Sequence, residues 1–310
     1  MRHPTKPRPQ VARDRCAGAS STCQTAAGKG PTGPVRRRSA MARLMVGVAL
    51  GAAALVLSAN LQGVRAQAVQ GTATVQFGAN APVYNPATKT DTVFVNANEA
   101  LIDWAITSPT GTYLPEGSTL SFTADSSGPY TVLNRVTSSS TSGPLSISGT
   151  VQSGSQGRIW FYNPGGWVAG ATGVFNVGSL VLTSLPITVD PASDTVSRLL
   201  GDKGEIRFGK ASLPTSSVTI DKGASISAIQ RQGSYVALVA PRVAQGGTVQ
   251  VNGSAAYVGA EAATLTINNG LFDIVVDSGT DDSIGVSHTG TTTGPAGTSN
   301  DPYHLSLIHI

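Results

Sequence analysis

Residues 158–183 read RIWFYNPGGWVAGATGVFNVGSLVLT. Ile159, Trp160, Phe161 and Tyr162 are all large and apolar or aromatic, and a strand alternates its side chains between two faces, so both faces of a strand here are bulky and need covering. Asn163, Pro164, Gly165 and Gly166 then read as a turn, because proline presets φ and glycine accepts the positive φ that other residues resist. Beyond the turn a second strand is expected over 174–183. Its mixture of Gly, Ser and Asn with branched apolar residues suits layers stacked closely on one another.

The same signature recurs outward from this stretch. Short strands bounded by Gly, Asn, Pro, Asp or Ser are expected at 72–76, 92–95, 101–106, 119–122, 131–136 and 145–151, and again at 205–208, 218–220, 235–239, 248–251, 263–267 and 272–276. Only 194–200 reads as a short helical turn, so the chain is all-β. Glycine is 36 of 310 residues, above the usual ~7%, and it falls at turns. A β-sandwich and a parallel β-solenoid both fit. Residues 217–267 favour the solenoid, because SVTIDKGASISAI, GSYVALVAPRV, GTVQVNGSAAYVG and ATLTINNG vary on one unit. Such coils bury their faces only by stacking.

The net charge of +4 suggests an anionic partner until it is divided along the chain. Residues 1–68 hold eleven Lys/Arg and one Asp, a net of +10; the rest holds ten Lys/Arg and sixteen Asp/Glu, a net of −6. The bulk of the chain is mildly acidic with scattered cations and has no nucleic-acid footprint. Arg36, Arg37, Arg38 and Arg43 precede an apolar run of about 14 residues at 44–57, followed by small residues at Val64, Ala66 and Ala68. This is the order of a secretory signal peptide, and the run is shorter than the ~20 residues of a membrane span. The expected organisation is an extension at 1–40 that is disordered or lies upstream of a true start at Met41, a signal peptide at 41–68, a β-domain at 69–284 and a Thr/Gly-rich linker with a foreign-looking tail at 285–310.

Candidate chemistry is sparse. Cys16 and Cys23 both precede the leader, so the processed chain has no disulfide or thiolate site. Past the leader, histidine occurs only at His288, His304 and His309, which leaves nucleophile–base pairs and zinc sites without components in the β-domain. Asp273, Asp277, Asp281 and Asp282 lack the spacing of calcium loops and read as turn acids. A carboxylate pair for sugar hydrolysis is formally open. Asn252, Gly253 and Ser254 match a glycosylation sequon but read as a turn. Trp104, Trp160 and Trp167 fit a core better than a carbohydrate platform. No enzyme activity and no cofactor are expected.

Asn134 and Arg135 after a strand, GRIWFYNPGG at 157–166, NVGSLV at 176–181 and GSYVALVAPRV at 233–243 occur in an order that resembles the N-terminal secretion domain of filamentous haemagglutinin-type exoproteins, the large passengers of bacterial two-partner secretion. The resemblance covers about 69–270. It implies a right-handed parallel β-helix with an N-terminal cap and extra-helical hairpins. It further implies recognition by the periplasmic domains of an outer-membrane transporter, nucleation of folding during export, and a secreted or cell-surface location for an adhesin that carries its host-ligand activity further along. Asn163, Pro164 and Gly166 fall on the family's Asn-Pro-Asn-Gly turn. Gly165 replaces its second asparagine, and Trp167 stands where a smaller aliphatic residue is usual. Asn134, Arg135, Asn163, Pro164, Gly165 and Gly166 are therefore the candidate transporter-recognition or turn residues. The alternative is a secreted β-helical enzyme on polysaccharide, or a carbohydrate-binding module.

Overall fold

The computed structural model describes residues 64–65, 67–125, 127–190, 197–201, 203–268, 271–295 and 304–309. The chain divides into residues 1–55, which lie outside the described set, and 56–310. The extension at 1–40 and the leader's basic and apolar stretches also fall outside it. Among the described residues there is no helix.

One coil shows how the sequence builds the repeat. Thr150–Ser153 joins sheet 2, Gly157–Tyr162 joins sheet 1, Gly166–Ala169 joins sheet 3, and Val174–Asn176 re-enters sheet 2 paired in parallel with Thr150–Ser153. Repetition of this circuit gives a parallel β-helix whose sheets count nine, eight and six strands among the described residues. Residues one coil apart stack in register. In sheet 2 the inward column is Asp91, Leu120, Val151, Phe175, Ile226, Val249 and Thr292. In sheet 1 Ile102, Asn134, Phe161, Leu182, Leu238 and Tyr257 form another. These columns line one buried core, where each fully buried Leu, Ile or Phe contributes roughly 1.5–3 kcal/mol.

The strand Gly157–Tyr162 is covered on both faces, as its composition demands. Ile159 and Phe161 enter the inner core, while Trp160 points outward with Leu101, Leu133, Val181, Ala237 and Ala256. That outer face is roofed by two excursions from the coil path. They carry Glu205–Phe208, Ala262–Asn268 and Leu271–Ser278, which pair as a three-stranded antiparallel sheet, and Leu185, Leu199, Ile206, Phe208 and Leu265 seal the layer.

At the start, an antiparallel cap protects two of the three first-coil edges. Gly71–Phe77 pairs with Glu99–Ile106 in sheet 1, and Val83–Asn85 pairs with Thr90–Val95 in sheet 2. Val64–Arg65 adds an outer antiparallel pair to Gly71–Phe77.

Several expectations are corrected. The single strand at 145–151 is two, Leu145–Ile147 and Thr150–Ser153, because the chain turns a corner at Gly149, where a Cβ would lie 2.4 Å from the Ser118 carbonyl oxygen. The strand at 174–183 likewise divides at Gly178, whose Cβ would lie 2.3 Å from the Ser155 carbonyl oxygen. Residues 197–200 are extended or bent and not helical, and 194–196 lie outside the described residues. Where a linker is expected from 285, Val286–His288, Thr291–Thr293 and His304–His309 add a strand to each of the three sheets in parallel register. Thr292 there continues the inward column of sheet 2, and Gly285 and Gly290 lie at the corners of this further coil.

Candidate functional site

The six motif residues lie on neighbouring coils around sheet 1, and the structure gives them distinct surroundings. Asn134 stands in the inward column of sheet 1 and is 1% exposed. Its Oδ1 accepts from Trp104 Nε1 at 3.1 Å and its Nδ2 donates to the Trp160 carbonyl at 3.3 Å. A buried amide must use both ends in this way, because an unsatisfied group costs about 1–3 kcal/mol.

Arg135, the next residue, points outward. Its Nε and Nη2 donate to Asp103 at 2.7 and 2.9 Å, and Gln76 Nε2 donates to the same carboxylate at 2.9 Å. Asp103 is its neighbour in the parallel register and Tyr162 follows one coil later. Hydrogen bonding to Asp103 holds the guanidinium even more firmly protonated than usual, against the opposing effect of burial.

Asn163, Pro164, Gly165 and Gly166 make the corner from sheet 1 to sheet 3. The Gly166 amide donates to the Asn163 carbonyl at 2.9 Å, closing a four-residue turn with proline at its second position, and Asn163 Nδ2 donates to the Gly166 carbonyl at 2.6 Å. Asn163 is 3% exposed, so its side chain holds the turn from within. Gly166 has φ +94°, and a Cβ there would lie 2.0 Å from the Ser217 carbonyl oxygen. At Gly165 a Cβ would lie 2.2 Å from the Gly143 carbonyl oxygen. A glycine at this position therefore has a local cause: the corner of the preceding coil packs against it.

The tryptophans are all core, as their sequence setting leads one to expect: Trp104, Trp160 and Trp167 are each 0% exposed. Trp167, larger than the aliphatic residue the motif resemblance leads one to expect, fills the lumen edge-on to Tyr113 (centroids 5.3 Å, 87°) and Phe161 (5.6 Å, 70°). Trp160 Nε1 donates to the Tyr235 hydroxyl at 3.0 Å in the outer layer.

Sequence reasoning missed the polar ends of the inward column. Asp91, 0% exposed, accepts from the amides of Ala68 (2.8 Å) and Val69 (2.9 Å). Burial first, and the Asp91 charge second, push the Tyr113 phenol well up. The signal was present: in TDTVFV at 90–95, alternation places Asp91 with Val93 and Val95 on the apolar face. At the other end Thr292 meets the Tyr257 hydroxyl at 2.7 Å and His288 Nε2 at 2.9 Å, with the imidazole stacked on the Tyr257 ring.

The acidic cluster divides. Asp273 and Asp277 lie on the outward face of Leu271–Ser278, whereas Asp282 accepts from the amides of Ile284 and Gly285, both at 2.9 Å. Those two bonds hold its carboxyl below the usual range. Among the described residues no group of three or more His, Cys, Asp or Glu could hold a metal ion. Asn252 forms the corner between Thr248–Val251 and Gly253–Gly259, its carbonyl accepting from the Gly233 amide at 2.8 Å.

No family model matches this chain, and no curated protein matches it. Among solved structures it is similar to the HMW1 secretion domain from Haemophilus influenzae, with a TM-score of 0.51 and 15% sequence identity over 77% of this chain. The chain spans 62% of that structure's length. At this identity the likeness establishes the fold alone: the chain is a parallel β-helix, similar in fold to that secretion domain.

Proposed function

We propose that this chain is the secretion domain of an exoprotein exported by a two-partner route, recognised by an outer-membrane transporter and acting as a folding template, without catalysis. The observation that carries the reading is the combination of an antiparallel cap on the first coil with in-register parallel coils beyond it, in a fold similar to a secretion domain. A capped first coil gives later coils an edge to add to, and the outward edges of later strands are where further chain can pair. In this reading the leader at 41–68 delivers the chain to the periplasm, and the exported product lies at the cell surface or beyond it.

The motif residues divide their work accordingly. Asn134, Asn163, Gly165 and Gly166 are buried and hold the coil and corner in shape, while Arg135 and Pro164 are the two that face solvent in part. Direct contact with a transporter falls to that pair and to main-chain edges. The test is export from a Gram-negative host, with and without a co-expressed outer-membrane transporter of the two-partner type. Appearance of the chain in the medium only when the transporter is present supports the reading. Equal export without any transporter refutes two-partner secretion.

A further inference from the structure

The N-terminal end of the inward column holds a carboxyl group, Asp91, with no cationic side chain beside it among the described residues. Asp91 is 0% exposed and, among the described residues, accepts from the main chain of three consecutive residues: Gln67 N at 3.4 Å to Oδ1, and Ala68 N and Val69 N at 2.8 and 2.9 Å to Oδ2. Among the described residues no Lys, Arg or His pairs with it. Amide donors offset part of the cost of burying a carboxylate, and a counter-ion within reach would offset more of it. The three donors also fix where a counter-ion could enter, at the point where the chain reaches the cap.

Gln67 follows Val64, Arg65 and Ala66, with small residues at the first and third of these positions as leader cleavage requires. Gln67 is exposed, whereas Ala68 and Val69 are 1% and 0% exposed. A cut after Ala68 would remove the shortest of the three bonds to Asp91. A cut after Ala66 keeps all three donors.

We propose that the leader is cut between Ala66 and Gln67, which releases Val64–Arg65 from Gly71–Phe77 and leaves the rest of the cap in place, and that the α-ammonium so created becomes the counter-ion of Asp91. In the cut, water adds to the Ala66 carbonyl carbon and the bond to the Gln67 nitrogen breaks. Ala66 departs as a carboxylate, and the nitrogen, with the protons released, becomes an ammonium group. Its nitrogen already lies within ion-pair reach of Oδ1. The inference rests on reading 41–68 as a leader.

Two experiments separate the inference from that reading. N-terminal sequencing of the exported chain is expected to find an unblocked Gln67. A start at Val69 or a blocked Gln67 overturns the inference while leaving a cleaved leader, and a chain that keeps its leader overturns the leader reading itself. In the second, the chain beginning at Gln67 is prepared with its α-amine free or acetylated, each with Asp91 or Asp91→Asn. Acetylation is expected to lower Tm by about 2–4 °C with Asp91 and to have no effect with Asp91→Asn; an equal shift in both, or none in either, overturns the proposal. Should Asp91→Asn fail to fold, titration of the terminal amine in the unsubstituted chain decides. Tyr113 is the other titratable group beside Asp91, and its phenol is neutral throughout the range of that titration. A midpoint raised above the ordinary ~7.7–8.0 is expected, and one at or below it overturns the ion pair.

Discussion

Trp104 and Asn134 meet inside the helix, the indole nitrogen donating to Asn134 Oδ1 at 3.1 Å between successive coils of sheet 1. The bond ties the first coil to the second through a side chain that is itself bonded to the carbonyl of Trp160 on the third. Asn134→Ala removes both at once and leaves the buried indole N–H without its acceptor, so a loss of about 2–4 kcal/mol is expected. Urea unfolding should show this as a lower midpoint at unchanged slope. A loss under ~0.5 kcal/mol would mean that the amide does not hold the coils together.

Two glycines separate backbone strain from crowding. Gly117 has φ +72° with nothing within 4 Å of its missing Cβ, whereas Gly166 has φ +94° and the Ser217 carbonyl oxygen 2.0 Å away. Gly117→Ala should cost the left-handed strain alone, about 1–2 kcal/mol. Gly166→Ala should cost clearly more, because Gly166–Ala169 cannot then keep its register with Ser217–Ile220. Equal costs in chemical denaturation would show that the corner relaxes freely.

Alkaline pH should weaken the fold through two buried phenols. Burial raises both Tyr235 and Tyr257 to about 12, above the ordinary ~10 of an unfolded chain. The folded state therefore holds protons that the unfolded state has released between pH ~10 and ~12. Their stabilising effect is complete below pH ~10 and is lost as pH rises toward ~12, by on the order of 1 kcal/mol per group per pH unit. Thermal melts across this range should show the fall, and Tyr257→Phe should make it shallower. A slope unchanged by that substitution would remove Tyr257 from the account.

The first excursion is latched to the first coil. Glu99 accepts from the Ser197 hydroxyl and, at 2.6 Å, from the Arg198 amide, while the Arg198 guanidinium lies 4.8 Å above the Phe77 ring. Glu99→Ala should cost about 1 kcal/mol and raise local opening about fivefold. Trypsin cleavage after Arg198 should accelerate to match while the global unfolding midpoint moves little. Unchanged cleavage would mean that other contacts hold the segment.

Composition and turn chemistry made the all-β class and the stacked architecture legible, and Glu205–Phe208 and Thr248–Val251 fall where their patterns place them. Sheet 3 was only partly legible: Ser217–Ile220 and Leu145–Ile147 overlap expected strands, whereas Thr112–Leu114, Gly166–Ala169 and Arg242–Gln245 are short and lie directly against corners, so no period marked them. Corners at Gly149 and Gly178 were hidden inside apparently continuous strands, because one glycine within an apolar run does not announce a change of direction. The NPGG turn was legible from its residue types, but the inward aim of Asn134 was not. Its column is defined only by coils that lie far along the chain.

The corner between sheet 1 and sheet 3 takes one residue at Pro241, three at Asn163, Pro164 and Gly165, and whole excursions after Thr183 and Gly259, yet the strands on either side keep their parallel register. Chain length is thus decoupled from coil geometry at this one edge. A descendant of this protein could gain or lose a surface element there without re-solving its fold, and engineered insertions have a natural port of entry at the same edge.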